Sequence, residues 1–284
     1  MKLVTMKRMS SAEKPVDVIE GRQYHIGVRK GEIAQFVLLP GDPGRVKKII
    51  KYWDESRLIA EHREYVTYTG KYKGIDISAT STGIGGPASA IAIEELLETG
   101  ATTFIRVGSA GALQGNINIG DLIISTAALR FDGTSKHYAP PEYPAVASYE
   151  VVLALIEAAE FLGVKYHVGL TASTDSFYVG QGRPGYKGYL PSWSKNIIND
   201  LQSMNVLNFE METATLFTLA NIYNVRAGSV CAVYAQRVKN EFIANAGEED
   251  AIKVANEAVR ILAEWDKRKN MKNKKYFFPS LLKT

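Results

Sequence analysis

Short β-branched apolar runs alternate along this chain with longer stretches in which apolar residues recur every three or four positions. The pattern predicts strands at 35–40, 65–72, 75–80, 103–108, 121–130, 167–174, 206–210 and 226–237. It predicts helices at 44–53, 86–99, 148–162, 191–203, 211–223 and 248–267. The runs FVLLP and TFIRVG are apolar on both faces, as strands of a sheet covered on both sides must be. Alternating β and α elements then predict an α/β fold of three layers, helices on both faces of the sheet. In the helix at 86–99, Pro87 stands at a first helical position and Ala90, Ile93 and Leu97 share a stripe, which turns Glu94, Glu95 and Glu98 outward. Its start after a glycine turn predicts free N–H groups and a positive dipole end, a ready anion site.

Composition narrows the class. The 284 residues are 46% hydrophobic and 23% charged, ordinary for a globular protein, and no apolar run is long enough to span a bilayer. The basic-then-acidic start lacks the apolar stretch of a signal peptide, and Cys231 is the one cysteine, so a cytoplasmic location is expected. The net charge of +4 is concentrated at one end, with seven Lys/Arg and no acid from Lys267 onward. The remaining 27 basic and 30 acidic residues give the body a charge of −3, which argues against nucleic acid as a partner. The expected organisation is an N-terminal extension at 1–20, one domain at 21–266, and a solvated basic tail at 267–284.

Three glycine-rich turns follow predicted strands: LLPGDPGR (38–45), STGIGGPA (81–88) and IRVGSAGA (105–112). Strand C-terminal ends line the ligand crevice of an α/β sheet. Arg45 and Arg106 lie in two of these turns and Arg63 in EHREY, and a guanidinium fork matches phosphate oxygens. STGIGGPA also fits a dinucleotide fingerprint, but the next strand delivers Arg106 where a ribose-binding acid belongs, leaving only a phosphorylated cofactor compatible. In NFEMETATLF, Glu210 is either a helix cap or a functional acid, and Glu212 suits a ribose diol. Gln181 and Arg183, with Phe177 beside them, offer donors and a stacking face for a pyrimidine. The four histidines have no metal-ligand spacing, so no metal is expected, and no nucleophile elbow or Cys–His motif supports covalent catalysis.

The ordered series YHIG (24–27), PGDPGR, HRE (62–64), STGIGGPA, IRVGSAGA, TASTDSFYVGQGR (171–183) and NFEMETATL resembles the nucleoside phosphorylase-I family, and within it the uridine-cleaving members, over about residues 24–262. The resemblance implies a three-layer sandwich around a central twisted mixed sheet, partly barrel-like, and phosphorolysis of uridine without a cofactor, inorganic phosphate being the co-substrate. It implies phosphate held by Gly41, Arg45, Arg106 and Ser109, with Arg63 reaching a neighbouring subunit's phosphate. Met211, Glu212 and Ser109 would hold ribose, and His25 would reach the neighbour's 5′-hydroxyl. Phe177, Gln181 and Arg183 would hold uracil, and Arg45, Arg106, Glu212 and Arg183 would carry catalysis. The family assembles as hexamers of dimers. Ser109 stands where threonine is usual, and Tyr234 and Ala235 where small aliphatic residues flank the base. The stretch CAVYAQRVKN lacks the aspartate with which purine-cleaving relatives protonate their base. A purine phosphorylase, a nucleosidase or a non-catalytic nucleoside binder of the same fold are the alternatives.

Overall fold

A computed structural model describes residues 21–283; the extension expected at 1–20 lies outside the described residues. The strands are β1 (Phe36–Pro40), β2 (Glu55–His62), β3 (Tyr65–Tyr72), β4 (Ile75–Thr80), β5 (Thr103–Ala112) and β6 (Leu122–Phe131). They continue with β7 (Ala145–Val146), β8 (Tyr166–Thr174), β9 (Val206–Glu210), β10 (Arg226–Gln236) and β11 (Glu241–Phe242). The helices are α1 (Pro43–Ile49), α2 (Gly86–Thr99), α3 (Thr134–Tyr138), α4 (Tyr149–Leu162), α5 (Ile197–Ser203), α6 (Thr213–Ile222) and α7 (Glu248–Met271).

The strands form one mixed sheet that runs β11-β10-β6-β8-β9-β5-β1-β4-β3-β2, and β5 also pairs with β10. The second pairing closes β5, β10, β6, β8 and β9 into a small barrel, from which β1, β4, β3 and β2 extend as an open wing. Strand β1 has helices on both sides: Leu38 packs with residues of α1, α4 and α7, whereas Val37 and Leu39 pack with residues of α2 and α6. This is the predicted sandwich, with the sheet as its middle layer.

Strand β5 shares one edge between two neighbours. Residues 103–107 pair with β1 in parallel, and Gly111 and Ala112 pair with β9 antiparallel. The gap between the departing β1 and the arriving β9 opens beside Gly108 and Ser109, and there the crevice forms.

Four sequence expectations change. Strand β2, with its charged run ESRLIAEH, pairs only with β3, and charge at an unpaired sheet edge hides a strand from hydropathy. The helix expected at 191–203 starts at Ile197 after a 3-10 turn. Glu95 does not face outward: it is 7% exposed and accepts the backbone N–H groups of His25 and Ile26, tying the N-terminal segment to α2. The basic tail is docked, since α7 continues to Met271 and the segment beyond returns to the core. Phe277 stacks on Trp265 with centroids 3.8 Å apart, and Leu281 is buried. Glu150 accepts Lys269 Nζ at 2.6 Å and the Phe277 N–H at 2.9 Å, so one tail lysine is neutralised inside the fold.

Candidate active site

A cavity of about 770 Å³ lies where β1 and β9 part, in the size range of small-ligand sites. Gly41, Arg45, Arg106, Ser109, Met211 and Glu212 line one part of it, and Phe177, Gln181 and Arg183 line another. Nine of the eleven residues expected to bind ligand thus share one chamber. Arg63 and His25 do not line it. Arg63 is exposed in the turn between β2 and β3, in the left-handed region at φ 55°, with its guanidinium 5.9 Å from the Tyr24 ring. His25 binds Glu95 through Nδ1 at 2.6 Å. Glu64, next to Arg63 in the turn, does line the cavity.

Arg106 rises from β5 into a nest of carboxylates. Its Nε donates to Glu210 at 2.8 Å, and its Nη2 pairs with Glu212 at 2.5 Å. The guanidinium curls over Gly108, where a Cβ would stand 2.8 Å from it and 2.6 Å from Cys231 Sγ, so the position requires glycine. Glu210 is also the cap of α6, accepting the N–H groups of Glu212 and Thr213 at 2.9 Å, with the Ser173 hydroxyl on its other oxygen. Of the two readings of Glu210 from the sequence, the cap is present, and the same carboxylate also pairs with Arg106. Burial works against the Arg106 charge, but Glu212 and Glu210 outweigh it and push its pKa up, so it stays cationic. Burial likewise raises the pKa of Glu212, aided by Glu210 and opposed by Arg106 and the Gly85 N–H.

The glycine turn before α2 does not wait for an outside anion. Its Gly85 N–H donates to Glu212 at 2.6 Å, so the negative charge met by this helix start is the protein's own. Another turn is tied in, since the Gly83 N–H donates to the Gly41 carbonyl at 3.0 Å.

Arg45 leaves the first turn of α1 after the Asp42 cap, which accepts from Gly44 N at 2.8 Å. Its Nε donates to Glu248 at 2.8 Å, its Nη1 to the Val107 carbonyl at 2.9 Å and its Nη2 to the Tyr234 hydroxyl at 3.2 Å. Tyr234, expected beside the base, therefore turns its hydroxyl to Arg45, and both it and Ala235 line the cavity.

At that other end, Arg183 lies over the Phe177 ring at 4.1 Å and donates to the Phe177 carbonyl at 2.9 Å and to Gln181 Oε1 at 2.5 Å. Burial, then repulsion from Arg237, lowers its pKa to about 10. Sequence reasoning passed over Arg237, which follows β10 and donates to the Gln181 carbonyl at 3.0 Å, its Nη1 being buried without a hydrogen-bond partner. A cation just past the end of a strand that feeds the cavity was the available signal.

The Phosphorylase superfamily model matches residues 35–264. The chain is 63% identical to a uridine phosphorylase of Thermococcus kodakarensis, over 97% of this chain and 99% of that protein. It is 43% identical to the uridine phosphorylase of Escherichia coli, over 84% and 97%, and 41% identical to a guanosine phosphorylase of Halorubrum lacusprofundi, over 75% and 83%. With that match over most of its length, and with two buried arginines, a buried acid and an amide–guanidinium pair around one crevice, the chain belongs to the phosphorylase superfamily.

Proposed function

We propose that the chain splits uridine with inorganic phosphate, yielding uracil and ribose 1-phosphate, with no cofactor or metal. The observation that carries this reading is that one cavity gathers two guanidinium groups, a buried carboxylate, and an amide hydrogen-bonded to a third guanidinium. Phosphate sits against Arg45, Arg106, Ser109 and Gly41, beneath C1′ of the sugar. Met211 and Glu212 hold the ribose, the carboxylate accepting its hydroxyls with lone pairs that Gly85 and Arg106 leave open. Breaking the glycosidic bond builds positive charge on the ribose, which phosphate both stabilises and quenches. Holding nucleophile and sugar in line contributes about 7–11 kcal/mol in well-oriented systems. Uracil leaves with negative charge on its oxygens, to which Gln181 and Arg183 donate while Phe177 covers the ring; a preorganised donor of this kind contributes about 3–4 kcal/mol.

The base assignment is supported by the Gln181–Arg183 pair and by the end of β10, where Gln236 and Arg237 stand and no acid does. The exposed placement of Arg63 suits a group lent to a neighbour, and with His25 it supports a homo-oligomer, a hexamer of dimers, in which each cavity is completed across an interface. The single buried free thiol of Cys231 suits the cytoplasm, where the enzyme would recycle pyrimidine nucleosides.

The test is uracil release from uridine by the purified protein, followed by ultraviolet absorbance with and without phosphate. Release only with phosphate is expected. Cleavage of guanosine with uridine untouched would reverse the base assignment, and release in water alone would make the chain a nucleosidase.

A further inference from the structure

Behind Arg45 lies a knot of side chains that the reaction described above does not use. Glu248 accepts from Arg45 Nε at 2.8 Å, from the Tyr234 hydroxyl at 2.7 Å and from Lys48 Nζ. The Tyr234 hydroxyl has one proton, which it gives to Glu248, and with its lone pair it accepts Arg45 Nη2 at 3.2 Å. The Val107 carbonyl takes Nη1 at 2.9 Å. Three acceptors thus fix the plane of one guanidinium whose side chain is 7% exposed, and two of its five N–H bonds stay open.

The elements holding this knot are themselves fixed. Glu248 is the first residue of α7, and Gly247 before it lies at φ 69°, where a Cβ would stand 2.3 Å from the Gly120 carbonyl, so the helix start is locked against a neighbouring turn. Lys48 stands one turn along α1 from Arg45, on the same face.

The charges matter as much as the bonds. A carboxylate on Arg45 alone would cancel the field that a phosphate dianion should meet. Lys48, half-exposed on the far oxygen of Glu248, offsets that carboxylate, so the cluster carries one net positive charge. Burial and the bond to Glu248 raise the Tyr234 pKa, keeping the phenol protonated as a donor.

We propose that Tyr234, Glu248 and Lys48 are positioning residues for the phosphate arginine: Tyr234 and Glu248 set the plane of Arg45, and Lys48 keeps its charge available to the anion. The proposal deepens the phosphorolysis reading and rests on it. It assigns Tyr234 to the nucleophile's end of the cavity and not to the base.

The test varies phosphate at saturating uridine, and uridine at saturating phosphate, for the full chain and two variants. For Tyr234→Phe the KM for phosphate should rise about fivefold, the size of one net hydrogen bond, with the KM for uridine within about twofold of wild type. For Lys48→Met, a substitution at a half-exposed site, the phosphate KM should rise about threefold, and the difference from wild type should shrink in high salt. A structural role would move the melting temperature and both KM values together, without salt dependence. An unchanged phosphate KM in Tyr234→Phe, or a rise confined to uridine, overturns the proposal; if that variant does not fold, an unchanged phosphate KM in Lys48→Met does so. Uracil release by wild type that ignores phosphate would instead sink the phosphorolysis reading. In that event equilibrium binding of inorganic phosphate reads the same variants, and equal Kd values overturn the positioning role.

Discussion

At the end of the cavity proposed above for phosphate both guanidinium groups are held by acid, Arg106 between Glu210 and Glu212 and Arg45 on Glu248. At the base end Arg183 rests on an aromatic ring and donates only to neutral oxygens among the described residues. The supports differ as well. Arg106 and Arg45 spring from a central strand and a capped helix, whereas Arg183 follows the short 3-10 turn at Val179–Gln181. The contrast follows the chemistry. On the proposed reading phosphate arrives charged and needs guanidinium donors already fixed, and the carboxylates fix them by accepting their other N–H groups. Uracil becomes negative only as the bond breaks, and an uncompensated cation serves best there because it answers charge that exists only in the transition state.

The largest test of this division is Arg106→Ala. Phosphorolysis should fall by at least about a thousandfold. The fold should also lose about 3–5 kcal/mol, because Glu210 and Glu212 are left buried and unpaired, measured as a drop in urea midpoint. A variant with wild-type stability would show that the acids do not depend on the arginine. Arg183→Ala should cost about a hundredfold in kcat/KM for uridine with stability almost unchanged, since no buried acid is orphaned. Equal stability losses in the two variants would erase the contrast.

Much of this division was legible in the residues. The glycine turns placed Gly41, Arg45, Arg106 and Ser109 at strand ends, and periodicity placed the strands that carry them. Acid partners were not legible, because Glu248 stands 203 residues from Arg45, and only the return of α7 against α1 brings them together. Glu95 misled for a related reason: helical periodicity turns it outward, but two backbone N–H groups from the N-terminal segment draw it into the fold. The tail misled through composition. Seven basic residues suggest solvent, yet Lys269 finds Glu150, and Phe277 finds Trp265, through contacts that no local pattern encodes.

The two ends should also differ in their response to pH. Lys48, Tyr234 and Arg45 overcome the burial of Glu248 and hold its pKa down at about 2. Its stabilising contribution is therefore complete above the ordinary glutamate range and is lost as pH falls from there toward 2. Acid unfolding of Glu248→Gln should be shallower than that of wild type over this window, and coincident curves would remove Glu248 from the account. At the base end burial, then repulsion from Arg237, lowers the Arg183 pKa, but a guanidinium keeps its proton throughout the working range, so its charge sets no alkaline limit. The uridine ring does ionise in alkali, so wild-type and Arg183→Gln profiles of kcat/KM should fall in parallel there, and profiles that converge would show that the cation itself titrates.

The smallest expected effect bears on how the base-end cation is kept without an acid. Phe177 is 47% exposed, and its ring lies 4.1 Å from the Arg183 guanidinium, close enough for the ring's negative face to replace part of the lost solvation. Phe177→Leu keeps apolar bulk and removes that face. Because the attraction at a partly exposed site is about 0.5–1 kcal/mol, kcat/KM for uridine should fall only about three- to fivefold, with the phosphate KM unmoved. A Leu variant with an unchanged rate would leave the ring without a part in this, and the base end would then hold its charge by the carbonyl and amide oxygens of residues 177 and 181 alone.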